Sequence, residues 1–573
     1  MKVVLCWHMH QPEYRDLRTG EYRLPWTYLH GMKDYVDMVA HLERYPNARA
    51  VVNFAPVLLD QIDDYCSQIR DYFDSDTSLR DPLLATLASD DFPQAIEDKL
   101  ALWKQLLRVN RKRVVDRFPA YARMARLVEW YQENPDAAIY ANDQFSIDLS
   151  VWYHLGWIAE THRRGDARIK KLETKGEQFT RNERREMLGI VLELMQSIIP
   201  RYRTLAEQGR VELALSPYAH PIVPLLLDLN SAHEAMPAAP LPQASEYPGG
   251  DDRARWHLQR GIATFEKYFG HRPKGCWPSE GSVSTATLSL LGEFGLQWAA
   301  SGETVLRNSI EASRNNAEAS REQGFKVPAD VLHRAYRVEG CGETVCFFRD
   351  DGLSDKIGFQ YADWHGDDAV ANLIYDLEHI AAHHPQADEG VVSIILDGEN
   401  AWEYYPENGF YFLDALYEKL SEHSTLEMTT FSAVIESGLP TVELPKLIAG
   451  SWVYGTFSTW IGSADKNRGW DLLCAAKTAF DEAMSANRLD QTTRARAEMQ
   501  MAICEGSDWF WWFGDYNPAA AVSDFEQLFR LHVCNLYEII GAKIPENLQH
   551  VISAGSGDPA RGGVMLPGQV HAS

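Results

Sequence analysis

Positive charge is what this sequence has least of for its size. Its 55 lysines and arginines stand against 81 aspartates and glutamates, a formal charge of −26. Nucleic acid and anionic membrane surfaces are held through basic patches, so neither is expected as a partner. A neutral ligand such as a sugar remains compatible. Long apolar runs are missing as well: nothing approaches the roughly 20 residues of a membrane span. The opening Met1-Lys2-Val3-Val4-Leu5-Cys6-Trp7-His8 has one basic residue and an apolar run shorter than the core of a secretory signal. Paired cysteines are missing too. The eight, at 6, 66, 276, 341, 346, 474, 504 and 534, form no CxxC pair, and Cys341 with Cys346 is too little for a metal or disulfide site. A reducing cytoplasm is the expected compartment. There is no internal repeat and no low-complexity tract.

Aromatic residues, by contrast, are plentiful. Seventeen tryptophans and 25 tyrosines supply flat faces that suit either sugar rings or a large core. A chain of 573 residues predicts one large α/β domain and a smaller one. Short apolar runs at 3–7, 50–54, 211–216, 275–277, 296–301, 345–349 and 391–396 read as seven strands, with helical periodicity between them. Alternating strand and helix predicts a parallel sheet closed into a barrel, one strand short of the eightfold form. The barrel is expected over 1–435, with a helical insertion around 60–135 and a helix over 181–199 stopped by Pro200. Residues 229–250 read as a long loop near the site. Beyond 436 helical patterns dominate to 550 and no strand is expected, so a helical C-terminal domain contributing to the cleft should follow. Residues 551–573, rich in glycine and proline, read as a flexible tail.

The chemistry gathers at strand ends. In Gly275-Cys276-Trp277-Pro278-Ser279-Glu280-Gly281 the proline ends the strand, because it has no N–H for the ladder. Glu280 then falls on the turn into a helix beginning near Ser284. A carboxylate in that position is where α/β barrels keep their active groups. The seventh strand runs straight into Asp397-Gly398-Glu399-Asn400. Cleaving a glycosidic bond takes one carboxylate as nucleophile or base and one carboxylic acid to protonate the leaving oxygen. Asp397, partly desolvated and two residues from Glu399, suits the acid, and Glu280 the ionised partner. The first strand ends in His8-Met9-His10, which presents both rings to one side of an extended chain. Such a pair can ligate a metal, hydrogen-bond sugar hydroxyls, or simply be satisfied inside the structure.

Five stretches in this order resemble glycoside hydrolase family 57. They are Trp7-His8-Met9-His10-Gln11-Pro12, Val211-Glu212-Leu213-Ala214-Leu215-Ser216-Pro217-Tyr218-Ala219-His220-Pro221, Trp277-Pro278-Ser279-Glu280, Leu396-Asp397-Gly398-Glu399-Asn400, and Gly450-Ser451-Trp452 through Trp460-Ile461-Gly462. The segments 53–60, 348–355 and 505–512 are similar to its amylase and amylopullulanase branch. The resemblance spans residue 3 to about 515 and implies a distorted (β/α)7 barrel acting on α-glucans without a cofactor. It implies Glu280 as nucleophile and Asp397 as general acid/base of a retaining reaction. His8, His10, Gln11, Glu212, His220, Glu399 and Asp508 would bind substrate, and Trp277, Trp452, Trp460 and Trp509 would stack on sugars. Arg349 and Asp350 read equally as an ion pair at the barrel mouth. Ser301-Gly302-Glu303 departs from the Thr-Asp-Glu type of sequence that relatives carry there, so Glu303 is given no role. Two other readings stay open. One is a metal-dependent hydrolase of the polysaccharide deacetylase kind using His8, His10, His220 and Asp397. The other is an inactive glucan-binding barrel.

Overall fold

The computed structural model describes residues 1–313, 327–486, 488–557 and 565. Seven parallel strands form the barrel: β1 (Lys2–Met9), β2 (Ala50–Phe54), β3 (Val211–Leu215), β4 (Gly275–Cys276), β5 (Trp298–Gly302), β6 (Val345–Arg349) and β7 (Val391–Asp397). They lie side by side in chain order. Arg349 beside Ser393, and β7 beside β1, close the ring. The strands read as apolar runs because both faces are covered, one by the barrel interior and the other by helices. The expected seven strands and (β/α)7 architecture are therefore found. β4 is two residues long because Pro278 follows at once, although Trp277 N–H still reaches Leu215 O at 3.0 Å.

Alternation along the strands decides what faces the axis. Val4, Val51, Trp298, Phe347 and Ile395 pack together inside the barrel with Trp277. Extending the same faces towards the C-terminal ends brings up His8, Asn53 and Asp397. The register sets these three side by side, with His8 opposite both Asn53 and Asp397. Because every barrel strand runs the same way, all the polar strand ends meet at one mouth.

Between β2 and β3, helices run from Pro56 to Glu207, well past the 60–135 expected of an insertion. The last of them, Arg181–Glu207, continues through Pro200 rather than stopping there. A proline within a helix forfeits one backbone bond. Here the turn beyond it still buries Tyr202 and Leu205, and the Tyr202 hydroxyl donates to Tyr35 O at 3.1 Å, so packing outweighs the break.

Three strands lie outside the expected set: Glu427–Met428 pairs in parallel with the start of β1, and the other two pair with each other. Thr441–Leu444 pairs in parallel with Ala335–Val338, which in turn runs antiparallel to β6. Thr441–Leu444 is mostly solvent-facing, with only Leu444 buried, so it carries almost no periodic signal. The C-terminal helices are Ala464–Ser485, Gln491–Cys504 and Ala519–Ile539. The segment 229–250 makes two short turns and then braces this region, where the Tyr247 hydroxyl donates to Glu505 Oε1 at 2.6 Å. The first residues of the expected tail are hydrogen-bonded to the rest of the protein. Ile552 N–H reaches Glu526 Oε1 at 2.9 Å, the Ser553 hydroxyl reaches Asp465 Oδ2 at 2.8 Å, and Gly557 N–H reaches Asn517 O at 3.0 Å. The rest of the expected tail, 558–564 and 566–573, lies outside the described residues. All eight cysteines are free thiols. Among the described residues no helix is long and apolar enough to cross a membrane.

Candidate active site

The strand ends surround a cavity of about 90 Å³ walled by Glu280, Asp397, Glu399, His8, His10 and Trp452. The C-terminal region completes it with Asp508, Trp511, Trp512 and Phe525. Barrel and helices thus share one pocket.

Glu280 sits on the turn after β4 with a left-handed backbone, φ +58°, followed by Gly281 at φ +57°. A non-glycine residue held there is strained, and the surroundings must hold it. Trp452 does so twice: its N–H donates to Glu280 O and its indole Nε1–H to Glu280 Oε2, both at 3.1 Å. Ser301 Oγ donates to Gly281 O at 2.6 Å. Glu280 Oε1 is left facing the pocket, 3.8 Å from His220 Nδ1. Trp452 comes this close only because position 302 has no side chain, since a Cβ there would lie 2.7 Å from Trp452 Cα. Gly302→Ala is therefore expected to cost about 1–3 kcal/mol by overpacking, measured as a lowered urea midpoint at unchanged slope.

Burial pushes the Glu280 carboxyl well above the ordinary range, and the charges of Asp508 and Asp397 push the same way against the Trp452 indole. Asp397 is raised to about 6 by burial, and it is held from going higher by the Asn400 amide, His10 and Arg349. Asn400 Nδ2–H donates to Asp397 Oδ2 at 2.9 Å. Glu399 is buried, and its Oε1 accepts from His10 N–H at 3.2 Å, Gln11 Nε2 at 3.2 Å and the Tyr35 hydroxyl at 3.3 Å. Burial and the neighbouring Asp397 charge raise its carboxyl too. Glu399 thereby fastens the loop after β1 to the end of β7.

Three imidazoles stack at one side of the pocket: His8 and His10 line it, and His220 lies fully buried against them. His8 Nδ1 pairs with Asn53 Oδ1 at 2.5 Å, His10 Nε2 with Asp508 Oδ1 at 2.8 Å, and His220 Nδ1 with Ser507 Oγ at 3.0 Å. Burial, with His10 beside it, lowers His8 to about 3, and burial among the other two rings also lowers His220, so both are neutral. One nitrogen from each ring lies within 4.8 Å of the others, a spacing that atom type alone would allow a metal. The ring planes do not fit one. They lie within 18–23° of parallel, with His10 and His220 stacked at 3.8 Å between centroids. Imidazole lone pairs lie in the ring plane, so stacked rings cannot direct three of them at one ion without turning. The arrangement suits hydrogen bonding to a ligand better.

Several expected residues lie elsewhere. Glu212 is second in β3, at the opposite end of the barrel from the pocket; it accepts from Trp298 Nε1 at 2.6 Å and Ser432 N–H at 2.9 Å. Trp277 is fully buried beneath the site, edge-on to Trp452 at 5.2 Å. Trp460 and Trp509 are buried in the helical region, where Trp460 O accepts from Trp470 Nε1 and Trp509 Nε1 donates to Ile503 O. None of these three tryptophans offers a face to a sugar. Arg349 pairs with Asp351 and Asp355, both at 2.7 Å, and Asp350 meets His333 at 2.9 Å. Glu303 is buried against the backbone of Asp351, away from the pocket.

Other residues join the pocket that the strand-end reading did not pick out: Tyr14, Asn400, Trp511, Trp512 and Phe525. The aromatic run 509–512 carried the signal, but helical geometry sends Trp509 inward while Trp511 and Trp512 reach the cavity.

A sequence model of glycosyl hydrolase family 57 matches residues 4–447. The chain belongs to glycosyl hydrolase family 57. A 1,4-alpha-glucan branching enzyme of Thermococcus kodakarensis is 29% identical over 146 residues, which cover 26% of this chain and only 17% of that protein. The crystal structure of a family 57 branching enzyme from the same organism, in complex with glucose, superposes with a TM-score of 0.57 at 16% identity, over 94% of this chain and 90% of that one. A branching enzyme of this type from Pyrococcus horikoshii gives 0.55 at 16% identity, covering 94% and 89%. The alpha-amylase AmyC of Thermotoga maritima gives 0.52 at 14% identity, covering 96% and 95%. At these identities the structural likeness is one of fold. The family 57 match ends at residue 447, so Trp452, Asp508, Trp511 and Trp512 reach the pocket from outside it.

Proposed function

We propose that this chain is a retaining α-glucan-active enzyme that cleaves or transfers α-1,4 or α-1,6 linked glucosyl chains by double displacement. The observation that carries the reading is that Glu280 and Asp397, from the ends of β4 and β7, face one pocket with different partners. Trp452 orients Glu280 and leaves Oε1 open, while the Asn400 amide holds Asp397. The relatives' recorded activities on α-glucan, as branching enzymes and an amylase, support the substrate class.

In the first displacement Asp397 gives its proton to the glycosidic oxygen as the C1–O bond breaks. Glu280 Oε1 bonds to C1, and the released chain departs as an alcohol. In the second, water or a sugar hydroxyl attacks C1 and passes its proton to Asp397, and Glu280 leaves as a carboxylate. The competent state holds one proton over the two carboxyls. In the empty pocket the extra negative neighbours of Glu280 favour that proton on Glu280; a bound sugar that displaces water and engages Asp397 has to reverse this. The Asp397 charge raises both the Glu280 and the Glu399 carboxyls, so a profile reports the protonation state of the cluster rather than of one site.

Activity should therefore be bell-shaped in pH. Below about pH 6, where Asp397 also takes a proton, kcat/KM falls; at higher pH, where the last shared proton leaves, it falls again. The deciding test is incubation with maltoheptaose and with amylopectin, followed by analysis for shorter chains, longer chains and new α-1,6 branches. No product from either glucan overturns the proposal. Treatment with EDTA is expected to leave turnover unchanged, whereas loss on chelation with recovery on adding zinc would favour the metal-dependent alternative.

A further inference from the structure

Arg349 is the last residue of β6 and continues the inward face that Val345 and Phe347 begin. It is 2% exposed and lies behind the pocket rather than in its wall. A buried cation is costly unless its surroundings hold it, and no step of the double displacement touches this one. What holds it is informative.

A guanidinium is a rigid fork with donors along its edge. Here the edge is used within the barrel. Nε–H donates to Ile395 O at 2.8 Å, Nη1 to Asp351 Oδ1 and Nη2 to Asp355 Oδ1, both at 2.7 Å. The turn carrying those two carboxylates is tied down in turn, since Ile395 N–H donates to Ser354 Oγ and Asp351 N–H to Glu303 Oε2, both at 3.3 Å. Thus fixed, the guanidinium carbon sits over the Trp452 indole, 5.4 Å from the ring centroid. That is within reach of a cation–π contact, which gains strength where water is excluded. Trp277 meets the same indole edge-on at 5.2 Å.

Two routes lead from this cation to the reacting carboxyls. The Trp452 indole donates Nε1–H to Glu280 Oε2, so the charge over the ring bears on the group that orients Glu280. A cation draws the π electrons towards it and makes the indole N–H a better donor. On the other side, Ile395 is two residues before Asp397 on the same face of β7, and the Arg349 charge is among those that hold the Asp397 carboxyl down. On the reading of Glu280 and Asp397 given above, we infer that Arg349 is the positioning residue common to both. Its guanidinium fixes the Trp452 indole on Glu280 and the end of β7 beneath Asp397, so the two carboxyls keep one separation across the sugar. The titratable groups around it are Asp350, Asp351 and Asp355 after β6, Glu303 after β5, Asp397 on β7, and Tyr454 beside Asp355. Burial pushes Asp351 up to about 7 against the pull of Arg349.

The test uses the full chain on maltoheptaose. Arg349→Lys keeps the charge, but one nitrogen cannot serve Ile395, Asp351 and Asp355 at once. It is expected to lower kcat about tenfold or more, with KM within about twofold of native and the acid limb of kcat/KM unmoved. Arg349→Gln combined with Asp355→Asn removes an ion pair together and strands no lone charge. There the acid limb should move up by about half a pH unit or more, because Asp397 loses a cation. Trp452→Phe keeps a ring under the guanidinium and loses the N–H. With that bond gone Arg349→Lys has less left to disturb, so the combined loss in kcat should be at least about threefold smaller than the product of the single losses. A role in folding alone would act independently of Trp452. Losses that multiply, or native kcat and a native acid limb in both Arg349 variants, overturn the inference while leaving the carboxylate pair in place. A native chain that cleaves no α-glucoside at all removes both.

Discussion

Replacing Asp397 with asparagine should lower kcat on maltoheptaose by about 10²–10⁴-fold, the share that one positioned proton donor supplies. Replacing Glu280 with glutamine should cost at least about 10⁴-fold, because the covalent route disappears with the nucleophile. Both changes keep shape and volume, and the Trp452 indole and the Asn400 amide still find an oxygen to face. The losses are therefore expected with little change in stability. Loss of activity alone does not separate the roles, but azide does. In Asp397→Ala, a donor with a good aryl leaving group still forms the Glu280 ester; azide attacks it without needing a base and yields the α-glycosyl azide. In Glu280→Gly, azide enters the vacated space on the opposite face of the sugar and yields the β-azide. Either variant at native turnover, or the two azide products exchanged, would overturn the assignment.

The reason these two residues were legible in the sequence is positional. Each follows an apolar strand that stops abruptly, at Pro278 for one and at Gly398 for the other, and parallel strands bring all such stops to one mouth. The same logic misplaces Glu212. It lies in a stretch with His220, but a β-strand advances about 3.3 Å per residue, so the start of β3 and the turn after it are at opposite ends of the barrel. Glu212 is inward-facing as the alternation requires; it is simply in the wrong layer. Tryptophan was harder still. Trp277, Trp452, Trp460 and Trp509 occupy similar local patterns, yet only Trp452 reaches the pocket. Whether an indole meets a ligand or fills a core depends on contacts between segments far apart in the chain, such as Gly302 admitting Trp452. Edge strands with little apolar periodicity, Thr441–Leu444 above all, left no mark that a single sequence could show.

The join between barrel and helical region leads to the last expected effect. Glu505 is a buried carboxylate at the end of helix Gln491–Cys504. It accepts from Arg253 Nε at 2.8 Å and Arg253 Nη2 at 2.8 Å, from the Tyr247 hydroxyl at 2.6 Å, and pairs with His257 Nε2 at 2.8 Å. All three partners belong to the barrel side of the chain, and two residues beyond Glu505, Ser507 holds the buried His220 behind His8 and His10. Burial alone would push this carboxyl up, but Arg253 and His257 more than offset it and hold Glu505 at about 2. The sign follows directly. A folded value below the unfolded one contributes stability that is complete above about pH 4.5 and drains away as the pH falls towards 2. Glu505→Ala leaves the Arg253 guanidinium buried without its partner, which typically costs about 3–5 kcal/mol. The expected result is a fall in the urea midpoint at neutral pH together with a flatter stability profile between pH 4.5 and 2 than the native chain shows. Because the same carboxylate indirectly fixes Ser507 and Asp508, His10 should lose its partner in the variant as well, and activity should decline at temperatures where the protein is still folded. A variant with native stability and a native acid limb would show that the helical region is held to the barrel by apolar packing alone.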